Sequence, residues 1–192
     1  VRALGIKVID CGNLPDDPDQ IGDALERAAA AADCIVTAGG VSVGEEDHVK
    51  SQIEQRGALD LWKLAIKPGK PLAFGQVAGT TIFGLPGNPV SAFITFALVA
   101  KPWLIKRQGA HPSPMKRFPV RAAFSTMRPG TREEFLRVRL TGSGEALRAA
   151  LTGSQSSGVM TSLSEADGLA VIAPGTTVAE GDWVEVMPLS AL

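Results

Sequence analysis

The chain has 192 residues, 45% hydrophobic and 20% charged, enough for one large domain or two small ones with real cores. Its charge is balanced, 11 Lys/Arg against 12 Asp/Glu over residues 1–107 and 8 against 8 over 108–192, which argues against bulk nucleic-acid binding. With two histidines, His48 and His111, a multi-histidine metal site is excluded, so any metal must be held by oxygen, as Mg²⁺ is.

Taken in chain order, residues 6–9 (Ile-Lys-Val-Ile) read as a strand after Gly5, where a helix would end. Residues 19–32 are alanine-rich with an acid near the start and predict a helix. A buried-type strand follows over 33–37, then a helix over 45–55, and short strands over 59–66, 72–77 and 80–83. Residues 90–107 predict a long apolar helix, interrupted or ended near Pro102. Strand–helix alternation with continuous apolar strands implies an α/β domain with a mostly parallel sheet and helices on both faces. No apolar run is read as reaching the roughly 18 residues that span a membrane, and no signal-peptide pattern opens the chain. Cys11 and Cys34 sit in apolar strand-like runs without metal-ligand spacing, so buried free thiols and a reducing cytoplasm are expected.

The texture changes after Arg107. Residues 109–115, "GAHPSPM", form a Gly/Pro/Ser linker, with the domain boundary near 108–114. Short alternating segments follow over 118–124, 134–140, 146–151, 169–172 and 183–186, punctuated by turn signals such as Pro129-Gly130 and Pro174-Gly175. This pattern predicts a small β-barrel or sandwich. Two domains are expected, an α/β domain over 1–110 and a small β domain over 111–192. A doubly wound domain normally has a strand ahead of its first helix at the position where this chain begins, so the chain is expected to be part of a longer one.

Four loops carry chemistry. In "TAGGVSVGEED" Gly39, Gly40 and Gly44 let backbone approach a ligand, Ser42 offers a hydroxyl, and the following helix N-terminus favours an anion. The same residues also make an ordinary strand-to-helix turn. Asp16 and Asp17 follow one strand while Glu45, Glu46 and Asp47 follow another, so Asp16 and Asp47 would meet on one rim as a Mg²⁺ site. Acids that merely complement a helix dipole would look alike. "WKLAIKPGKP" places Lys63, Lys67 and Lys70 around a rigid Pro-Gly turn, suited to an anion. "GLPGNPVSAF" repeats the device with Pro86, Gly87, Asn88, Pro89 and Ser91, Asn88 being able to cap the next helix. Spacing alone supports an anion- and metal-binding α/β domain with dense charge at one edge.

The three motifs "GGVSVGEED", "KLAIKPGKP" and "GLPGNPVSAF", in that order, resemble the molybdopterin molybdenumtransferase family, which includes bacterial MoeA and the E domains of the plant homologue and gephyrin. The likeness extends to "TGSQSSG" and the closing small β domain. It implies a molybdopterin-binding α/β domain followed by a β-barrel-like domain. It also implies an enzyme of molybdenum cofactor biosynthesis that takes adenylylated molybdopterin and molybdate, inserts the metal and releases AMP, with Mg²⁺ required. By position, Asp16 and Asp47 match the family's functional, metal-holding acids, and Ser42 the serine of the glycine loop. Lys63, Lys67 and Lys70 match basic residues that hold phosphate and oxyanion; Asp16, Asp47, Lys67 and Lys70 are the catalytic set this implies. Pro86, Pro89 and Ser91 match the "GLPGNPVS" loop, while Arg132 of "TREEF" and Ser157 of "GSQSSG" match a molybdate-binding arginine and serine. Most of the basic excess between Lys116 and Arg139 is otherwise read as solvated strand surface. Ser154 stands where the family usually has histidine.

The family works as a homodimer whose site takes residues from the partner subunit, with a molybdopterin adenylyltransferase as a further partner. Without the N-terminal part, weak or absent turnover is expected. The alternatives are molybdopterin adenylyltransferase, a non-catalytic molybdopterin-binding scaffold, and a generic nucleotide-binding module. The adenylyltransferase has a "GGTG" loop and no terminal β domain. Neither nucleic acid nor membrane is an expected partner.

Overall fold

A computed structural model describes residues 1–40 and 48–192, apart from the side chains of Leu61 and Trp62. The chain forms two compact units that are not contiguous in sequence. The first holds Val1–Leu64, Gly69–Asn88 and Ala92–Pro112; the second holds Ala65–Pro68, Pro89–Ser91 and Ser113–Leu192.

In the first unit, helix α1 (Pro18–Ala31) starts where Asp17 caps it, accepting the Gln20 N–H at 2.9 Å, with Pro18 in the first turn. Strand β1 (Cys34–Ala38), helix α2 (His48–Arg56) and strand β2 (Gly57–Lys63) follow, then β4 (Pro71–Val77) and β5 (Thr80–Leu85) after a two-residue strand, β3 (Ile66–Lys67), that belongs to the second unit. The sheet order is β1-β5-β4-β2, and only β1 and β5 are parallel. The expected mostly parallel sheet is therefore corrected to a mixed one. The reason is connection length. Ala78 and Gly79, with φ of 47° and 82°, make a two-residue turn that forces β4 and β5 into a hairpin. The stretch between β2 and β4 is likewise too short for a crossover helix.

Helices do cover both faces. Ile21 and Leu25 of α1 and Ile53 of α2 pack with Ile35, Val77 and Ile82 on one face. Leu72, Phe83 and Leu85 face the other way, against Phe96, Ala100 and Trp103. Those three lie on a helix continuous from Pro89 to Arg107, made of α3 (Pro89–Thr95), a π-helical stretch Phe96–Ala100 and α4 (Lys101–Arg107). Pro102 does not end it. The proline falls in the first turn of α4, directly after the wider π turns. The expectation about apolar runs is thereby corrected, because this helix is long and apolar enough to cross a membrane by length and composition. Its inward residues Ile94, Ala97, Ala100 and Leu104 recur at helical spacing and are buried.

Two further expectations fail in this unit. Residues 6–9 pair with none of the described strands, and Val8 and Ile9 are exposed. A strand needs a partner for its backbone, and β1 is the edge of the sheet on that side. Cys11 is exposed rather than buried, since it follows this unpaired segment, while Cys34 on β1 is half-buried.

The second unit is built on β6 (Phe118–Ala122), β7 (Glu133–Thr141), β8 (Arg148–Leu151), the short helix α5 (Thr161–Ser164), β9 (Gly168–Ile172) and β10 (Trp183–Pro188). Strand pairing runs β7-β8-β6-β10-β9 and closes from β9 back to β7, giving a five-stranded barrel. Its interior holds Val120, Val138, Ala149, Ala170, Val184 and Val186. β3 is added outside this ring, parallel to the start of β7, with Ile66 opposite Glu133 and Lys67 opposite Glu134.

Candidate functional site

The first unit gathers its loops on one rim. β1 and β5 are in register from Cys34/Thr81 to Ala38/Leu85, so Gly39-Gly40 and Pro86-Gly87-Asn88 leave the sheet side by side. The Gly39 N–H donates to the Leu85 carbonyl at 3.0 Å. A Cβ added at Gly87 would lie 3.6 Å from Gly39 Cα, so the two loops touch. Gly39 and Gly40 adopt φ of 87° and 67°, which side-chain-bearing residues rarely take. These are the carboxyl ends of parallel strands, the edge where α/β sheets bind ligands.

The hairpin geometry brings two lysines to the same rim. β4 is antiparallel to β5, with Ala73 opposite Gly84, and Lys63 at the end of β2 lies opposite Pro71 at the start of β4. Lys70 precedes Pro71, and its carbonyl accepts the Leu64 N–H at 2.7 Å. Both lysines are exposed. The Thr95 hydroxyl donates to the Gly69 carbonyl at 3.4 Å and ties this turn to the long helix.

α1 runs back along β1, so Asp16, just ahead of it, lies toward the rim where β1 ends. Asp17 is committed to the cap, whereas the exposed Asp16 carboxylate has no hydrogen-bond partner among the described residues. Asp16 can offer a hard oxygen ligand, and the donor type fits Mg²⁺. Ser42, Gly44 and Asp47 lie outside the described residues, as do Glu45 and Glu46. Among the described residues no three His, Cys, Asp or Glu side chains gather. Asn88 occupies the N-cap position of α3, but its side chain makes no cap bond, a correction to its expected role. Its carbonyl accepts the Ala92 N–H at 2.9 Å instead. Cys34 lies on β1; its pKa is pushed up to about 11 by burial and by the neighbouring Asp33 charge, so the thiol is inert at neutral pH.

The second unit holds the remaining candidates. Lys67 Nζ lies 3.2 Å from each oxygen of Glu134. Pro89 and Ser91 open α3, and the Val90 N–H between them donates to the Ser157 carbonyl at 3.1 Å. Arg132 donates from Nη1 to the Ile66 carbonyl at 3.0 Å, a bond that helps hold β3 and leaves other guanidinium donors for a ligand.

The arginine beneath the serine loop is Arg137. Only 1% exposed, it donates from Nη2 to the carbonyls of Ser154 (3.3 Å) and Ser156 (3.2 Å) and from Nε to Ser162 Oγ (3.3 Å). Gln155 clamps the backbone of the same residue, accepting the Arg137 N–H at 2.9 Å and donating to its carbonyl at 3.1 Å. Thr152 adds a backbone bond to that carbonyl at 2.9 Å. Burial lowers the guanidinium pKa from its ordinary value, and all its partners are neutral. Of the two arginines, Arg137 rather than Arg132 touches the "TGSQSSG" loop. Reading the 116–139 stretch as solvated surface missed it. The available signal was its spacing of two from Phe135, which puts both on one face of β7, opposite the barrel-facing Leu136 and Val138. In that loop Ser154 Oγ accepts the Ser156 N–H at 3.2 Å, so Ser154 shapes the turn.

Residues 1–106 match the family described as "Probable molybdopterin binding domain", and residues 119–189 match "MoeA C-terminal region (domain IV)". The molybdopterin molybdenumtransferase of Haemophilus influenzae is 47% identical over 109 residues, covering 57% of this chain and 27% of that protein. Its counterpart from Nostoc sp. is 32% identical over 201 residues, covering 98% of this chain and 45% of its own length. The crystal structure of a molybdopterin biosynthesis MoeA protein from Pyrococcus horikosii superposes with a TM-score of 0.71 at 31% identity, over 90% of this chain and 41% of that one. The chain spans less than half the length of these relatives. With a molybdopterin-binding domain followed by the MoeA C-terminal region, the chain belongs to the MoeA family.

Proposed function

We propose that the chain acts in molybdenum cofactor biosynthesis as part of a molybdopterin molybdenumtransferase, inserting molybdate into adenylylated molybdopterin with Mg²⁺-dependent release of AMP. The observation that carries this is the rim of the first unit, where two touching Gly/Pro loops and Lys63 and Lys70 meet at the ends of β1, β5 and β2. Glycine backbone that a ligand can approach closely, together with ammonium ions, suits a phosphate-bearing ligand at a strand-end rim.

In this reading Gly39, Gly40, Ser42 and Gly44 border the pterin phosphate, and Lys63 and Lys70 hold the negative charge of the pyrophosphate link. Pro86, Gly87, Asn88, Pro89 and Ser91 keep the facing loop in one shape, so binding costs little ordering. Lys67, Arg132 and Ser157 favour the molybdate dianion, with Arg137 adding positive charge beneath the serine loop. Support comes from the buried Arg137 guanidinium, which has only neutral partners and therefore leaves its charge available to the loop above it. Asp16 and Asp47 would hold Mg²⁺, which when bound supplies positive charge at the phosphates. We further propose a cytoplasmic homodimer whose second subunit completes the site, supplied by a molybdopterin adenylyltransferase.

The test is AMP release from adenylylated molybdopterin, with Mg²⁺, with and without molybdate, on this chain and on the variant Lys63→Gln/Lys70→Gln. Molybdate-dependent release that falls at least about tenfold in the variant supports the reading, two charge contacts being worth that much. If this chain alone is silent, calorimetric binding of adenylylated molybdopterin is measured instead. Equal binding by both forms would refute the assignment of the rim.

A further inference from the structure

Lys67 and Glu134 are direct partners in the parallel pairing of β3 with β7, and the ammonium sits symmetrically, 3.2 Å from each carboxylate oxygen. The two side chains are unequally placed, Glu134 being 18% exposed and Lys67 54%. The acid is thus the anchored member and the lysine the outward one. Nor does β3 depend on this ion pair for its place. The Glu133 N–H donates to the Ala65 carbonyl at 2.9 Å, and Arg132 Nη1 donates to the Ile66 carbonyl at 3.0 Å. An ammonium carries three donors; two can serve the carboxylate, and the third has no partner among the described residues. Exposed ion pairs are weak, so a competing anion can displace this one.

We propose that Glu134 is an internal ligand for Lys67: in the free protein its carboxylate occupies the anion-binding face of the lysine, and an incoming tetrahedral oxyanion takes that face from it. Glu134 then sets how strongly Lys67 attracts anions and keeps the site from filling with weaker ones. This rests on reading Lys67 as an oxyanion-binding lysine. A carboxylate and an oxyanion present the same chemistry to an ammonium, a planar or tetrahedral set of charged acceptor oxygens.

Removing the charge at constant shape, Glu134→Gln, separates this role from a structural one. The experiment follows acylation of Lys67 by an amine-reactive reagent, resolved by mass spectrometry, on this chain and the variant, with and without sodium molybdate. We expect Lys67 to react roughly two- to fivefold faster in Glu134→Gln, the range an exposed ion pair carries. Lys63 and Lys70 serve as internal references and keep their rates. Molybdate should protect Lys67 at a lower concentration in the variant than in the parent. Glu134→Asp, a milder change that withdraws the carboxylate by one methylene, should fall between them and serves if the amide variant folds poorly. Equal Lys67 reactivity in parent and variants overturns the internal-ligand proposal, whatever molybdate does. Faster reaction in the variants without molybdate protection in any form overturns the displacement step and the oxyanion reading of Lys67, while leaving Glu134 as the lysine's partner.

Discussion

Replacing Arg137 tests whether a buried guanidinium organises the serine loop. Arg137→Met keeps most of the side-chain volume and deletes three hydrogen bonds, to Ser154 O, Ser156 O and Ser162 Oγ. Charged hydrogen bonds contribute about 1.5–3 kcal/mol each, and at 3.2–3.3 Å these belong at the low end, so the gross loss is roughly 4–5 kcal/mol. Two effects offset it. Ser154 and Ser156 are exposed, so their carbonyls can turn to water, and the buried cation no longer has to be desolvated. The clamp made by Gln155 and Thr152 uses the Arg137 backbone and survives. The net loss should therefore be about 2–3 kcal/mol, with amide exchange rising over residues 153–158 but not over β7. Arg137→Lys, which keeps the charge but cannot span both carbonyls, should lose about half as much. Urea unfolding followed by residue-resolved hydrogen exchange measures both. A methionine variant as stable as the parent, with the loop equally protected, would refute the idea that the guanidinium holds it.

Gly75→Ala should destabilise by about 2–4 kcal/mol in thermal unfolding, because its Cβ would overlap the Ala58 carbonyl on the neighbouring strand and backbone must move. Asp17→Ala should cost about 1 kcal/mol by removing the cap on Gln20, and Asp17→Asn should recover most of it. Alkylation near pH 8 should modify exposed Cys11 quickly and Cys34 slowly, since the Cys34 thiol is held at about 11. The folded Cys34 keeps its proton where the unfolded one, at the ordinary 9.0, has lost it. Its contribution to stability is thus present below pH 9.0 and falls as pH rises toward about 11, and Cys34→Ser should flatten that decline.

How far the site was legible depends on which residues are considered. Gly39-Gly40, Lys63, Lys70 and the "GLPGNP" turn were readable because each is a local device, a turn or strand end whose chemistry lies in consecutive residues. Asn88 was readable as a helix start, and its N-cap position is real, but whether its amide bonds inward depends on a rotamer that local sequence does not impose. Arg132 and Arg137 are five residues apart in one basic stretch; strand alternation puts Arg137 on the Phe135 face of β7, but no local feature says that this face is covered. Arg137 is buried by Thr152, Gln155 and Ser162, which reach it from 15 to 25 residues away.

The same division runs through the fold. By itself the sequence placed a helix at 19–32 and strands at 33–37, 72–77 and 80–83, within one or two residues of α1, β1, β4 and β5, and a small β domain after the linker, because turns and side-chain periodicity act over a few residues. Tertiary structure alone decided which strands are neighbours, giving the order β1-β5-β4-β2, although the short connections already required the β2–β4–β5 meander. It also decided that the apolar run at 6–9 is no strand, since backbone pairing needs a second chain segment. Likewise it decided that Lys67 faces Glu134, because a contact between residues 67 positions apart exists only once β3 lies along β7.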